Sequence, residues 1–336
     1  MKKIFFNSTA FIILIILTFL FFVFIKTSFT FSKISVDSSN TKGSLPVYLL
    51  PELEDLPDQK TDQVNILLLG IRGEGDPFGG LLTDALMLVS LNQKTNKVAL
   101  ISLPRDLYIP LPNSDKRDKL NAVYAWGYEK GGVGTGINYI KDTISRITGL
   151  YVSNAIIINF KAFEEFIDAI GGVDVNLKAD FIEDKQWWCD TQGQNCRAFF
   201  LPKGKNHLNG ETALFYVRSR FSSSDFDRAR RQQEVFLAVK QKVFSLGFIA
   251  NPLNALRMLD LLGNNVRSDM GINKMTELIT YAKKSEISLD DVTTFVFDNT
   301  SEEGILYAKY LDGRYILLPK TGNFSEIKKK CLELTE

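Results

Sequence analysis

The sequence predicts a layered α/β protein behind a single N-terminal transmembrane helix. Three observations carry that expectation. Short continuous apolar runs alternate with stretches of helical period, the pattern of a sheet with helices packed on it. The first residues hold an almost unbroken apolar run behind two lysines. Of the 336 residues, 45% are hydrophobic and 24% charged, the balance of a chain that buries a core.

The apolar run spans Ile4 to Ile25, long enough to cross ~30 Å of hydrocarbon as a helix. A cleaved signal peptide has a shorter apolar region and a small-residue cleavage site, whereas this run ends in FVFIKTSFTF. Lys2 and Lys3 favour a cytoplasmic N-terminus, a bias that Lys26 slightly opposes. A single span then puts the rest of the chain outside the cytoplasm. We read 1–26 as the cytoplasmic end and anchor, and 27–62, rich in Ser, Thr, Asp, Pro and Lys, as a flexible stalk. Residues 63–245 form the main domain, and 246–336 an α/β extension packed on it.

Val64–Ile71 (VNILLLGI) is a short apolar run of the kind buried on both faces of a sheet. Ala85–Asn92 and Lys97–Leu103 follow as strands joined by the hairpin-like QKTN. The glycine-rich Gly131–Gly136 lacks the Lys-Ser/Thr of a P-loop and reads as a turn. INYIKDTISRITG has helical spacing and stops at Gly149. NAIIINF is a buried strand, KAFEEFIDAIGG a helix stopped by glycine, and VDVNL a strand. Asn209–Val217 starts a helix, and Asp227–Leu246 forms a longer one with Asp227 as N-cap. Beyond Pro252 come two helical stretches, the strands VTTFVF and YILLPK, and a basic C-terminal helix.

The formal net charge is +1. A general electrostatic footprint for nucleic acid is therefore missing, and any anion site must be local. There is no G-x-S-x-G elbow. The one histidine, His207, lies in a polar stretch before a helix and is expected at the surface. Cys189 and Cys196 bracket a small loop. They form a disulfide in an oxidising compartment or remain two free thiols. Trp187 and Trp188 precede that loop, suited to a sugar or to the membrane interface.

Tyr216–Gln233 packs Arg218, Arg220, Arg228, Arg230 and Arg231 around Asp225 and Asp227. On a helix, Arg228, Arg231, Gln232 and Val235 share one face. Arg228 falls in the first turn, where backbone amides and the helix dipole favour an anion. Guanidinium forks match phosphate oxygens in pairs. A solvated face balanced by Asp225, Asp227 and Glu234 is equally consistent with the charge count. Arg105 and Asp106 lie just past the end of a predicted strand, where α/β sheets place their ligands, or in an ordinary turn made by Pro104. Asp84 at a strand entrance is a cap or a ligand for a hard cation.

The blocks NILLLG, TDALMLVSLN, SLPRDLYIPLP, KLNAVYAWG, IIINFKAFEEFIDAIGGVDV, GKNHLNGETALFYVRSR and DFDRARRQQ resemble, in this order, the LytR–CpsA–Psr family. The resemblance covers about Val64 to Val239. It implies an α/β/α sandwich around a central mixed β-sheet, with a deep apolar pocket for a polyprenyl chain. It also implies a catalytic role for 63–245: phosphotransfer of a glycopolymer from an undecaprenyl-pyrophosphate carrier to peptidoglycan, with Mg2+. By the same resemblance, Arg218, Arg220, Arg228 and Gln232 hold the pyrophosphate. Asp225 positions the arginines, and Arg72 and Lys119 join them in binding the pyrophosphate. Arg105 stands at the phosphoryl centre with Asp106 in the same motif, Asp84 binds the metal, and either Asp106 or Asp84 is the catalytic group that accepts the hydroxyl proton. The chain departs from the family where an aspartate commonly follows LLLG as a second metal ligand. Here the stretch reads LLLGIRGEGDPFGGLLTD, with Arg72 present and Asp76 or Glu74 as substitutes. Leu82 also precedes Thr83 where an arginine is common. A polyprenyl-pyrophosphate hydrolase and a non-catalytic binder of lipid-linked wall precursors are the competing functions.

Overall fold

The computed structural model describes residues 53–188, 197–245, 263, 265–284, 292–300 and 304–336. The expected anchor, most of the expected stalk, the Cys189–Cys196 loop and the two tryptophan side chains before it lie outside the described residues. No described helix is long and apolar enough to cross a membrane.

The scaffold is a mixed six-stranded sheet. Its strands are β1 (Gln63–Ile71), β2 (Ala85–Asn92), β3 (Val98–Ser102), β6 (Asn154–Asn159), β11 (Val266–Ser268) and β12 (Val292–Val296), in the order β11-β6-β1-β2-β3-β12. β1 pairs parallel with β6 and antiparallel with β2; β3 is antiparallel to β2 and parallel to β12. β1, β3, β6 and β12 therefore all end at one rim. β2 and β3 form the expected hairpin, with the Asn92 side chain accepting from the Lys94 and Thr95 amides. The chain after residue 246 supplies both edge strands, β11 and β12.

Two-stranded sheets decorate this sheet. They pair β4 (Tyr108–Pro110) with β5 (Arg117–Lys119), β7 (Val173–Leu177) with β10 (Gly204–Leu208), β8 (Phe181–Trp188) with β9 (Arg197–Leu201), and β13 (Leu306–Leu311) with β14 (Arg314–Pro319). The expected polar loop around His207 is thus strand β10. The side chain remains at the surface, 2.8 Å from Asp174.

The helices are α1 (Val123–Thr148), α2 (Phe160–Ala169), α3 (Gly210–Arg218), α4 (Asp225–Ser245), α5 (Ile272–Lys284) and α6 (Ser325–Thr335). The glycine patch is not one turn. The chain breaks only at Gly131 and Gly132, where Gly132 has φ +77°, and Gly134 to Gly136 are helical. The two arms of α1 fold close together there, since a Cβ on Gly127 would lie 2.8 Å from the Cα of Gly136.

α1 and α6 cover one face of the sheet. Leu67, Leu69, Leu88, Ile101 and Ile157 point into that side with Ile137, Ile140, Ile144 and Ile147. Leu53 joins the same core, and Arg146 donates to the Glu54 carbonyl at 2.7 Å, so packing begins before β1, within the stretch read as stalk. On the other face α2 packs on β6 and α4 on β3 and β12, with α3 wedged between the two helices. Between them Ile66, Leu68, Val89, Ile156 and Ile158 are only half-buried, although every one is aliphatic. These helices also pack on β7–β10 through a second, aromatic-rich core that holds Phe160, Phe163, Phe166, Phe181, Phe199 and Phe215.

Helix starts are set by side-chain caps. Asn159 caps α2 through the Ala162 amide at 2.8 Å, and Asn209 caps α3 through Thr212 at 2.9 Å. α4 begins at Asp225, two residues before the expected start. Ser224 is its cap: its Oγ accepts from the Asp227 amide at 3.0 Å while Asp227 Oδ2 accepts back from the Ser224 amide at 3.2 Å. Asp227 is therefore the returning half of a capping box and not the N-cap.

Candidate functional site

The rim where β1, β3, β6 and β12 end collects the polar chemistry, as open α/β sheets place their ligands outside the carboxyl ends of strands. Arg72 directly follows β1, Asp84 directly precedes β2, Arg105 comes after β3 and Phe160 follows β6. From above, the α3–α4 turn brings Arg218, Arg220, Asp225 and Arg228 to the same place.

Arg105 is the hub. Its Nη1 lies 2.6 Å from Asp84 Oδ1, and its Nε lies 3.1 Å from Asp225 Oδ2 and 3.6 Å from Asp106 Oδ2. Burial works against its charge, but Asp225, Asp84 and Asp106 outweigh burial and hold its pKa above the ordinary value. Asp225 in turn meets Arg228 Nη1 at 3.1 Å and Arg220 Nη1 at 3.6 Å. Burial raises its pKa, and the three arginines Arg228, Arg105 and Arg220 lower it further than burial raises it.

Arg228 is almost fully buried. Its Nη2 donates to the Asp84 carbonyl at 3.1 Å, and its Nε has no partner. Burial pushes its pKa down to about 10, with Asp225 pulling it back up. This is a cation short of anions. Lys119 donates to Asp106 at 2.6 Å from strand β5. Arg218 stacks on the Phe160 ring at 4.3 Å, and Arg72 approaches the same ring at 5.8 Å. Burial and then Arg72 lower the pKa of Arg218.

A cavity of about 330 Å³ opens at this point, with Asp84, Arg105, Lys119, Asp225, Arg228 and Gln232 in its wall. Gln232 turns its amide to the Val217 carbonyl at 3.3 Å. The β13–β14 hairpin closes one side with Tyr315 and Leu317, pinned where the Leu317 amide donates to the Asp106 carbonyl at 2.9 Å.

Two arginines of the cluster do something else. Arg231 is buried on the α4 face it shares with Arg228, yet it donates to the carbonyls of Tyr216 (3.0 Å) and Ser219 and stacks on Phe181 at 4.8 Å. It closes the C-terminal end of α3 and does not enter the cavity. Arg230 is exposed and pairs with Asp227 and Asp298 at 2.9 and 2.7 Å. Sequence reasoning missed Phe160, which carries two guanidiniums. It also missed Gln233, whose amide donates to Leu100 O, Ser102 Oγ and Phe295 O and so ties α4 to the sheet. The position of Phe160 just past a buried strand was the available signal. For Gln233 the sequence offers none.

The two carboxylates expected to hold magnesium do not form an open oxygen site. Asp84 presents Oδ1 to Arg105 at 2.6 Å and Oδ2 to Arg72 at 3.9 Å. Asp76 accepts from the Phe78 amide at 2.8 Å through Oδ1 and faces Arg72 at 4.0 Å through Oδ2. A guanidinium stands between the two groups. Among the described residues no cluster of three or more His, Cys, Asp or Glu side chains is placed to share a metal. The residues present do not fit the ion.

Fold and site together define an α/β/α protein with a cationic cavity at the rim of its sheet and a partly covered aliphatic strip on one sheet face, the features of a protein that handles a phosphorylated amphiphile. The chain belongs to the LytR–CpsA–Psr family: the model of the LytR_cpsA_psr family matches residues 22–331. It is 32% identical over 261 residues to the polyisoprenyl-teichoic acid–peptidoglycan teichoic acid transferase TagU of Oceanobacillus iheyensis, covering 76% of this chain and 73% of that protein. It also resembles the solved structure of TagT bound to LI-WTA, with a TM-score of 0.62, 26% identity, and coverage of 84% of this chain and 96% of that one. The LytR-CPS2A-psr family protein YwtF (TagT) with bound octaprenyl pyrophosphate lipid superposes with a TM-score of 0.59 at 25% identity, over 84% of this chain and 96% of that one.

Proposed function

We propose that this chain transfers a glycopolymer from a polyprenyl diphosphate carrier to peptidoglycan on the outer side of the cell membrane. The observation that carries the reading is the cavity in which Arg105, Lys119 and Arg228 converge, at the rim of a sheet whose α2–α4 face carries the half-buried strip of Ile66, Leu68, Ile156 and Ile158. A charged head and an apolar tail find matching surfaces there. The relatives support it: TagU is named for transfer of teichoic acid to peptidoglycan, and TagT binds a polyprenyl diphosphate. The apolar run Ile4–Ile25 holds the domain at the outer leaflet as a single-pass anchor, within reach of such a carrier.

Chemistry follows from charge. An acceptor sugar hydroxyl forms a new bond to the phosphorus that bears the glycopolymer. The bridging P–O bond breaks, and polyprenyl phosphate leaves with the electron pair. The hydroxyl proton passes to Asp84, which is more open than Asp106, with side-chain exposures of 24% and 9%. Phosphoryl transfer depends on positioning and on neutralising charge over the phosphoryl oxygens. Arg105, Arg220 and Arg228 supply that charge, held in place by Asp225. The diphosphate linkage carries its own driving force, so no nucleotide is consumed.

The test is transfer by the full-length protein in detergent, with a lipid-linked glycopolymer and peptidoglycan. Polymer covalently joined to the wall, lost in Arg105→Ala, supports the proposal. Release of phosphorylated polymer without any acceptor identifies a hydrolase. Donor binding with no turnover identifies a binder.

A further inference from the structure

Arg72 occupies an unusual place. It lies between Asp84 and Asp76, with Nε 3.9 Å from Asp84 Oδ2 and Nη1 4.0 Å from Asp76 Oδ2. The Phe160 ring lies 5.8 Å from its guanidinium carbon and the Phe78 ring 6.0 Å, so two aromatic rings are within cation–π reach of it. The loop that brings Asp76 and Phe78 to it is closed on itself. Gly73 N donates to Gly80 O at 3.0 Å, Asp76 N to Gly73 O at 3.2 Å and Gly80 N to Asp76 O at 3.1 Å. Gly73, Gly75 and Gly79 take φ of +134°, +85° and +92°. A Cβ on Gly80 would stand 2.1 Å from the Gly73 carbonyl oxygen, so no other residue fits there without rebuilding the loop. The loop is built to present Asp76 and Phe78 to one guanidinium.

We propose that Arg72 is a fixed cation that takes the place of a bridging divalent metal, so that this chain binds and turns over a diphosphate with no divalent ion. This deepens the function proposed above and rests on it. Charge supports the inference. Arg72, Arg105, Lys119, Arg218, Arg220 and Arg228 are six cations set among five carboxylates, Asp76, Asp84, Asp106, Glu164 and Asp225. The cluster is net positive before any metal binds, the sign that an anionic diphosphate diester needs. A divalent ion between Asp84 and Asp76 would instead sit against the Arg72 guanidinium, and like charges at such separations repel strongly inside a protein.

The experiment uses the full-length protein in detergent with octaprenyl diphosphate as the binding probe and the transfer assay as the second readout, each in EDTA and in Mg2+. Manganese binding is followed separately by paramagnetic resonance. The wild-type protein is expected to bind and to turn over in EDTA within about twofold of its behaviour in Mg2+, and to hold no Mn2+. Arg72→Ala loses binding by about tenfold or more, the value of one charge-assisted contact to phosphate, while Arg72→Lys keeps most of it. Arg72→Asp exposes a second carboxylate: it is inert in EDTA, regains turnover with Mg2+ and binds Mn2+. All three variants are compared with the wild type by thermal melting, and Arg72→Lys serves if the others do not fold. A wild-type protein that binds Mn2+, or that needs Mg2+ for diphosphate binding, overturns the inference and leaves the proposed function standing. A wild-type protein that binds no diphosphate with or without Mg2+ overturns both.

Discussion

The two faces of the sheet use the same strands for different ends. The face under α1 and α6 is closed: Leu67, Leu88, Ile101, Ile137, Ile140 and Ile144 are all fully buried. The opposite face carries residues just as apolar, yet Ile66, Leu68, Ile156 and Ile158 remain half-buried between α2 and α4. Ordinary core packing leaves few voids, so a strip of aliphatic side chains kept partly open stands out. That strip ends at Phe160, where two guanidiniums stack. One face is closed as a core, and the other, on the function proposed above, offers its partly open strip to the apolar part of an amphiphile.

Four measurements break or sharpen this comparison. The largest effect is expected at the rim of the open face. Arg105→Ala should lower transfer by about 10²–10³-fold, the cost of removing a preorganised charge-stabilising donor. Circular dichroism should show the variant folded at the assay temperature. Near-normal transfer would remove Arg105 from the reaction.

Next comes Arg231→Ala, which should behave in the opposite way. It leaves the carbonyls of Tyr216 and Ser219 without a donor in a buried setting and removes a guanidinium from Phe181. Urea unfolding should show a loss of about 2–4 kcal/mol. Diphosphate affinity of the folded fraction should stay near that of the parent. Strong loss of affinity at unchanged stability would place Arg231 in the pocket.

A matched pair on the two faces follows. Ile140→Ala on the closed face should cost about 2–5 kcal/mol. Ile156→Ala on the open face should cost about 1 kcal/mol, because a half-buried side chain loses less apolar area. The same Ile156→Ala variant should weaken binding of the octaprenyl chain, and Ile140→Ala should not. Equal stability costs would mean the two faces are packed alike.

The smallest effect is in acid. The Asp225 carboxyl is held below its ordinary value chiefly because Arg228, Arg105 and Arg220 outweigh burial. Its contribution to stability is therefore fully present above the unfolded carboxyl value of about 3.9 and is lost as pH falls below it. Melting temperature should fall between about pH 5 and pH 2, with a shallower slope in Asp225→Asn. An unchanged slope would assign the acid sensitivity to other carboxylates.

Much of the fold was legible because strand and helix periods are local. The runs now seen as β1, β2, β3 and β6 stand out as unbroken apolar stretches, and QKTN marks their hairpin. Errors arose where neighbours overrode local pattern. KGKNHL looks polar and loop-like but is strand β10, because β7 supplies the pairing. The α4 start moved from Asp227 to Asp225 because Ser224 and Asp227 cap each other. Of the glycine patch, only Gly131 and Gly132 leave the helix. The pairing of Cys189 with Cys196 lies outside the described residues.

By itself the sequence determined the order of strands and helices, the apolar run near the N-terminus and the presence of a dense arginine segment between two helices. These depend on the composition and spacing of residues close in the chain. Only the tertiary structure decided which arginines face a ligand. Arg228 and Arg231 lie one turn apart on the same helix face, yet one meets Asp84 and Asp225 and the other caps α3. It also decided that Arg72, and not a second free carboxylate, stands beside Asp84. Charge pairing depends on distances between residues far apart in sequence, and those are set by how the layers pack.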